Sequence, residues 1–103
     1  MQQLLPEELK ARLPPLYSQE AADEPYVHAK FFLPGSNWTW YVTEGEEKDD
    51  DFLFFGFVVG QDSEFGYFVL SELESAKSPL GFKVERDEHF TPGLLTDVVP
   101  APE

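Results

Sequence analysis

The carboxylates of one short stretch, residues 44 to 51, are the groups in this sequence with the clearest capacity for chemistry. The stretch reads EGEEKDDD, and its acidic residues are Glu44, Glu46, Glu47, Asp49, Asp50 and Asp51. Carboxylates at this density could hold a calcium ion, act as a pair in acid–base catalysis, or attract a basic protein. Each of these uses requires a different arrangement of the same residues.

The spacing of these carboxylates does not fit the first two uses. A calcium-binding loop has the pattern D-x-[DN]-x-[DN]-G with a later glutamate, which this stretch lacks. Acid–base catalysis requires two carboxyl groups in unlike environments, whereas a run of charge in a polar loop is evenly solvated. Two interpretations therefore stay open: a solvated connection between strands, and a surface that attracts proteins rich in lysine and arginine.

The histidines, serines and glycines indicate no further site. His28 and His89 are far apart in the sequence and have no fixed carboxylate spacing, so we predict no metal site and place His28 on a strand, exposed or half-buried. No serine stands in a nucleophile elbow, and the glycines form no phosphate-binding pattern. The chain has no cysteine, which excludes thiolate catalysis. We therefore predict a protein that is not an enzyme and uses no cofactor.

The net charge of the whole chain indicates which classes of molecule the protein can bind. Its 103 residues include 7 Lys and Arg against 20 Asp and Glu, a formal net charge of −13. This charge repels the phosphates of nucleic acids and anionic lipid surfaces, so direct binding to either is disfavoured. It can attract a basic protein, including one that itself holds DNA or RNA.

Neither export nor insertion into a membrane is indicated by the sequence. The N-terminal MQQLLPEELKARL lacks the basic region and the long apolar region of a signal peptide. No stretch approaches the roughly 20 apolar residues that a membrane-spanning helix needs. The lack of cysteine fits a reducing compartment. We expect a cytoplasmic, monomeric protein.

Hydrophobic periodicity predicts the elements that must position these residues. Leucines at three- and four-residue spacing predict a helix over residues 5–13, which Pro14 and Pro15 end. A second short helix is predicted at 71–77, with Ser71 as its N-cap. A third is predicted at 91–98, with Thr91 as its N-cap. Alternating or continuous apolar runs predict strands over residues 26–32, 38–43, 52–60, 65–70 and 82–86.

The arrangement of these elements is predicted from the lengths of their connections. Short turns make residues 38–43, 52–60 and 65–70 adjacent antiparallel strands. The middle one is nearly all apolar and is expected to be covered on both faces, while 82–86 is expected at an edge. The fold class is α+β: a single domain over 1–103 with an antiparallel sheet of about four or five strands, two or three short helices, and a flexible tail at 99–103.

Aromatic side chains make up 16% of the chain and supply its core. A platform for stacking nucleic-acid bases would need a positively charged groove beside it, which a chain this acidic does not provide. Trp38 and Trp40 share one strand face and are expected to be buried. The other aromatic residues assigned to the core are Tyr41, Phe54, Phe55, Phe57, Tyr67 and Phe68.

Three long segments resemble a known family. The segments HAKFFLPGSNWTWYVTEGE, FLFFGFVVGQDSEFGYFVLSELES and GFKVERDEHFTP are similar to small bacterial proteins grouped as a domain of unknown function, DUF2958. The resemblance covers nearly the whole chain from LLPEELKARLP onward, and it implies an origin on plasmids and integrative elements. The size and acidity of the chain also resemble those of the metagenomic type II-A anti-CRISPR proteins, which are inhibitors of Cas9.

The second resemblance implies a function without supplying a residue motif. It implies a non-enzymatic protein that binds Cas9 or its guide-RNA complex, whose positively charged channels an acidic surface can contact. The alternative is an accessory protein of a plasmid or conjugative element that binds another basic protein. In either case we predict that the six carboxylates of residues 44–51 contact the partner.

Overall fold

The fold of the protein is an α+β domain, seen in a computed structural model that describes residues 3–99. Three short helices are present: α1 (Glu7–Arg12), α2 (Leu70–Ser75) and α3 (Leu95–Val98). The strands are β1 (Tyr26–Val27), β2 (Ala29–Phe32), β3 (Thr39–Lys48), β4 (Asp51–Val59), β5 (Ser63–Val69), β6 (Glu85–Arg86) and β7 (Gly93–Leu94). The predicted fold class is confirmed.

The main sheet has five antiparallel strands in the order β5-β4-β3-β2-β6, and β1 pairs with β7 in a separate two-stranded sheet. Strands β3, β4 and β5 are consecutive neighbours, which confirms the adjacency predicted from their short connections. The predicted strand at 26–32 divides at His28, because β1 pairs with β7 while β2 pairs with β3 and β6.

One face of the main sheet forms the core. Phe31, Val42 and Phe54 are completely buried there, and α1 and α2 cover them with Leu9 and Leu73. The predicted alternation along residues 26–32 is confirmed, since Val27, Ala29 and Phe31 are all buried.

The opposite face of β4 is only partly covered. Phe52, Phe54 and Gly56 are buried against the core, whereas the alternate residues Leu53 and Phe55 are half-buried. The central position of this strand is confirmed, but the expectation of full cover on both faces is wrong, because both covering helices lie on one side.

Several aromatic residues that were assigned to the core are exposed. Trp38 is 41% exposed because it precedes β3, where it stacks on the half-buried Trp40 with 6.0 Å between ring centroids. Tyr67 is also exposed, since it lies on the partly covered face of the edge strand β5. The core assignment is confirmed for Tyr41, Phe54 and Phe68.

The predicted helix caps are wrong at both sites. Helix α2 begins at Leu70 without a side-chain cap, and the Ser71 hydroxyl instead donates to Asp51. The chain at Gly93 is extended and pairs with β1, so α3 begins only at Leu95 and its N-cap position is Leu94 instead of Thr91. The carboxylate of Glu24 accepts a hydrogen bond from the backbone N–H of Thr96 at the start of this helix.

The remaining predictions concern the C-terminal third. Of the predicted edge strand at 82–86, only residues 85 and 86 pair with β2, and they do lie at the sheet edge. The flexible tail was predicted at 99–103, and residues 100–103 of it lie outside the described residues. Within residues 3–99, no helix has the length and apolar character needed to cross a bilayer.

Candidate functional site

The acidic stretch forms the end of a long hairpin and not a solvated loop. Strands β3 and β4 pair as far as Lys48 opposite Asp51, so only Asp49 and Asp50 make the turn. Both have positive φ, 53° and 64°, as a tight two-residue hairpin turn requires, and aspartate tolerates this conformation better than most residues. The solvated connection expected between the predicted strands 38–43 and 52–60 is therefore wrong, and most of these carboxylates lie on strands.

A β-bulge determines on which face of the sheet the side chain of Glu44 lies. The register between β3 and β4 shifts between Val42, which lies opposite Gly56, and Glu44, which lies opposite Phe55. Thr43 is the extra residue, so the alternation of side chains between the two faces is reset at this point. Glu44 consequently shares the partly covered face of the sheet with Phe55.

Two of the predicted partner-binding residues hold a segment of their own chain. Glu44 is buried, and its two carboxylate oxygens accept hydrogen bonds from the backbone N–H groups of Tyr17 and Gln19 at 2.8 and 2.7 Å. Glu46 is exposed and accepts a hydrogen bond from the N–H of Leu16 at 2.8 Å. These glutamates fasten the irregular segment after α1 to β3.

We expect Glu44→Ala to destabilise the protein by about 2 kcal/mol, since hydrogen bonds to a buried charged group are lost and two amides lose their acceptor. Urea denaturation would measure the change, and amide exchange at Tyr17 and Gln19 should become faster. Glu85→Ala is the control, because the side chain of this exposed glutamate accepts none of the described hydrogen bonds. Equal stability of the two variants would contradict the tethering role.

Two further carboxylates connect the hairpin to the helices. Glu47 forms an ion pair with Lys10 of α1, and this hydrogen-bonded contact lowers the pKa of Glu47 and raises the pKa of Lys10. The hydroxyl of Ser71 lowers the pKa of Asp51 by hydrogen bonding to its carboxylate, and the N–H of Phe52 adds to the effect. Both contacts fix the hairpin end relative to the face that α1 and α2 cover.

An open cleft of about 630 Å³ lies between the hairpin end and these helices. We call it the acidic cleft and define it by its charged lining, in which five carboxylates face two lysines: Glu47, Asp49, Asp50, Asp51 and Glu74 with Lys10 and Lys48. Asp49, Asp50 and Glu74 are exposed. The structure thus brings four of the six predicted carboxylates together, while Glu44 and Glu46 contact the segment after α1.

Glu74 was missed by the sequence analysis because it is remote from the acidic run. The predicted order of strands and helices could have indicated that Glu74 lies near the acidic stretch. Strand β5 is antiparallel to β4, so its C-terminal end at Val69 lies beside Leu53, close to the hairpin end. A helix that begins there must place its side chains next to the acidic stretch.

The histidines lie apart from this cleft. Burial lowers the pKa of the half-buried His28, and the positive charge of Arg12 lowers it further. His89 is exposed in the segment after β6. In the part of the chain that the structure describes, no group of three or more histidine, aspartate or glutamate side chains is arranged to hold a metal ion.

Comparison with known proteins identifies the family. The family model described as "Protein of unknown function (DUF2958)" matches residues 4–97. The chain belongs to this family. The span that defines DUF2958 includes both strands of the hairpin, the two helices that flank the acidic cleft, and all of the cleft residues. No curated protein and no solved structure matches the chain.

Proposed function

We propose that this DUF2958 protein is a non-enzymatic inhibitor of Cas9-type immunity that binds a component of the effector complex through the acidic cleft. The observation that carries the proposal is the concentration of exposed carboxylates around one cleft at the end of the long β3–β4 hairpin. The resemblance of the chain to type II-A anti-CRISPR proteins gives the class of partner.

The physical basis of the proposal is complementary charge. Effector complexes of the Cas9 type hold guide RNA and target DNA in positively charged channels. The chain has a formal net charge of −13, and five of its carboxylates line the acidic cleft. Opposite charge at this density accelerates encounter with such a channel and disfavours partners of the same sign.

The acidic cleft is also held in place before any partner arrives. The ion pair from Glu47 to Lys10 and the hydrogen bond from Ser71 to Asp51 fix the hairpin against α1 and α2. A surface that is already ordered loses less conformational entropy on binding, so more of the contact energy contributes to affinity. An accessory protein of a mobile element that binds another basic protein would use the same surface, and the choice of partner separates the two proposals.

Binding to purified Cas9, with and without guide RNA, tests the proposal. We expect the protein to bind at low ionic strength and the affinity to fall towards physiological salt, where the screening length is about 8 Å. An unrelated basic protein such as lysozyme serves as the control for non-specific attraction. Binding to lysozyme as tight as to Cas9, or no binding to either form of Cas9, would contradict the proposal.

A further inference from the structure

A second pocket lies on the partly covered face of the main sheet, away from α1 and α2. Its volume is about 330 Å³, and strands β4 and β5 provide aromatic residues on one side of it. The segment from Tyr17 to Pro25 provides the other side. The lining residues on which the argument depends are two glutamates and three aromatic residues: Glu20, Glu44, Phe55, Phe65 and Tyr67.

The aromatic rings of this pocket are packed together yet remain accessible. The rings of Phe55 and Phe65 are nearly parallel, with an interplanar angle of 7° and 5.9 Å between centroids. The ring of Tyr67 lies 4.9 Å from that of Phe55. Phe65 and Tyr67 are 46% and 52% exposed, so parts of these two residues are open to a ligand.

The pocket is negatively charged and contains no basic residue in its described lining. Glu44 is buried, and its carboxylate is held by backbone N–H groups. None of the ion pairs described within residues 3–99 involves this glutamate. Glu20 adds a second carboxylate to the same lining. Backbone N–H groups stabilise the carboxylate of Glu44 but carry no net charge, so no cation in the described lining compensates the negative charge of the pocket.

We propose that this pocket binds the guanidinium group of an arginine side chain presented by another protein. Guanidinium is planar and weakly hydrated, so it stacks on aromatic rings more readily than ammonium does. In the pocket it would stack on Phe65 and Tyr67 while its charge balances those of Glu44 and Glu20. A volume of about 330 Å³ is near the lower limit of small-molecule sites, roughly 300 Å³, and suits one side chain.

This inference does not depend on the proposed inhibition of Cas9. The pocket and the acidic cleft share none of their described lining residues. A small arginine derivative can therefore probe the pocket without any partner protein. Failure of this test would leave the function of the acidic cleft unaffected.

The test is an NMR titration of the isotope-labelled protein with N-acetylarginine methylamide. We expect saturable shifts of the backbone amides of Phe65, Tyr67 and Gln19, with a dissociation constant in the millimolar range. The citrulline analogue has nearly the same shape without the charge, and it should cause no saturable shift. The lysine analogue should bind more weakly than the arginine derivative.

The matched variants are Phe65→Ala and Phe82→Ala, because the two phenylalanines are 46% and 48% exposed and only the first lines the pocket. We expect Phe65→Ala to weaken binding of the arginine derivative about fivefold, as loss of a cation–π contact predicts, and Phe82→Ala to leave it unchanged. Equal binding of the citrulline or lysine analogue would overturn the assignment to guanidinium. Equal effects of the two variants, or no saturable shift in the parent, would overturn the site.

Discussion

Replacement of Gly56 with alanine should destabilise the protein by about 3 kcal/mol or more, because the added methyl group overpacks a site that cannot expand. A Cβ atom at this position would lie 2.0 Å from the carbonyl oxygen of Tyr41 and 3.1 Å from the Cα of Val42. Both atoms belong to the backbone of β3 just before the bulge. Relief would require the central strands to separate, which a side-chain rotation cannot achieve.

Gly66→Ala is the matched control for this prediction. Gly66 lies directly opposite Gly56 on β5, and a Cβ atom there would have no atom within 4 Å. We expect this variant to be as stable as the parent or slightly more stable, because alanine reduces the freedom of the unfolded chain. Urea denaturation of both variants provides the measurement. Similar midpoints for the two would show that β3 and β4 are not in close contact at the bulge.

Neutralising three carboxylates of the acidic cleft should slow association with a basic partner about tenfold, as expected when a charged surface that steers encounter is weakened. The variant is Asp49→Asn with Asp50→Asn and Glu74→Gln. Asparagine tolerates the positive φ of both turn positions, and all three side chains are exposed. Stability should therefore be kept, which distinguishes this design from variants at Glu44 or Asp51.

The control for the cleft variant removes the same charge from the far end of the sheet. The control variant is Asp62→Asn with Glu64→Gln and Glu85→Gln. All three residues are exposed. They lie near the ends of β4, β5 and β2, at the opposite end of the sheet from the hairpin turn. Association rates with Cas9, measured at several salt concentrations, should separate the two variants. Equal rates would mean that total charge matters and that the acidic cleft has no special role.

Hydrophobic patterning was sufficient to predict the sheet. The runs at 38–43, 52–60 and 65–70 form adjacent strands because each alternates or is continuously apolar and because short turns join them. The same patterning predicted the helix that buries Leu9. These features depend on local sequence and on burial of apolar surface, which one sequence displays directly.

The hairpin end could not be predicted from patterning. The run of like charges was interpreted as a solvated connection or a surface for a basic protein, because its spacing fits neither a calcium loop nor a catalytic pair. In the structure, Glu47 forms an ion pair with Lys10, and Asp51 accepts a hydrogen bond from the Ser71 hydroxyl. Glu44 accepts hydrogen bonds from the backbone amides of Tyr17 and Gln19. These partners are remote in the sequence, so local spacing does not reveal that they stabilise two extended strands.

The β-bulge is the reason why the second pocket could not be predicted from the sequence. Without the extra residue at Thr43, simple alternation places Glu44 on the same face as Val42, which is the core face. The register shift instead places Glu44 opposite Phe55 on the partly covered face. One inserted residue thus decides whether a carboxylate would disrupt the core or line a pocket, and no sequence pattern in this strand marks it.

The cleavage of target DNA by purified Cas9 and guide RNA is the most direct test of the proposed function. Three proteins would be compared at equal concentration: the parent, the variant with the three cleft carboxylates neutralised, and the control variant with the same net charge. We predict that the parent and the control variant inhibit cleavage and that the cleft variant inhibits it about tenfold less effectively. Undiminished cleavage in the presence of the parent, or equal inhibition by the cleft variant, would contradict the account.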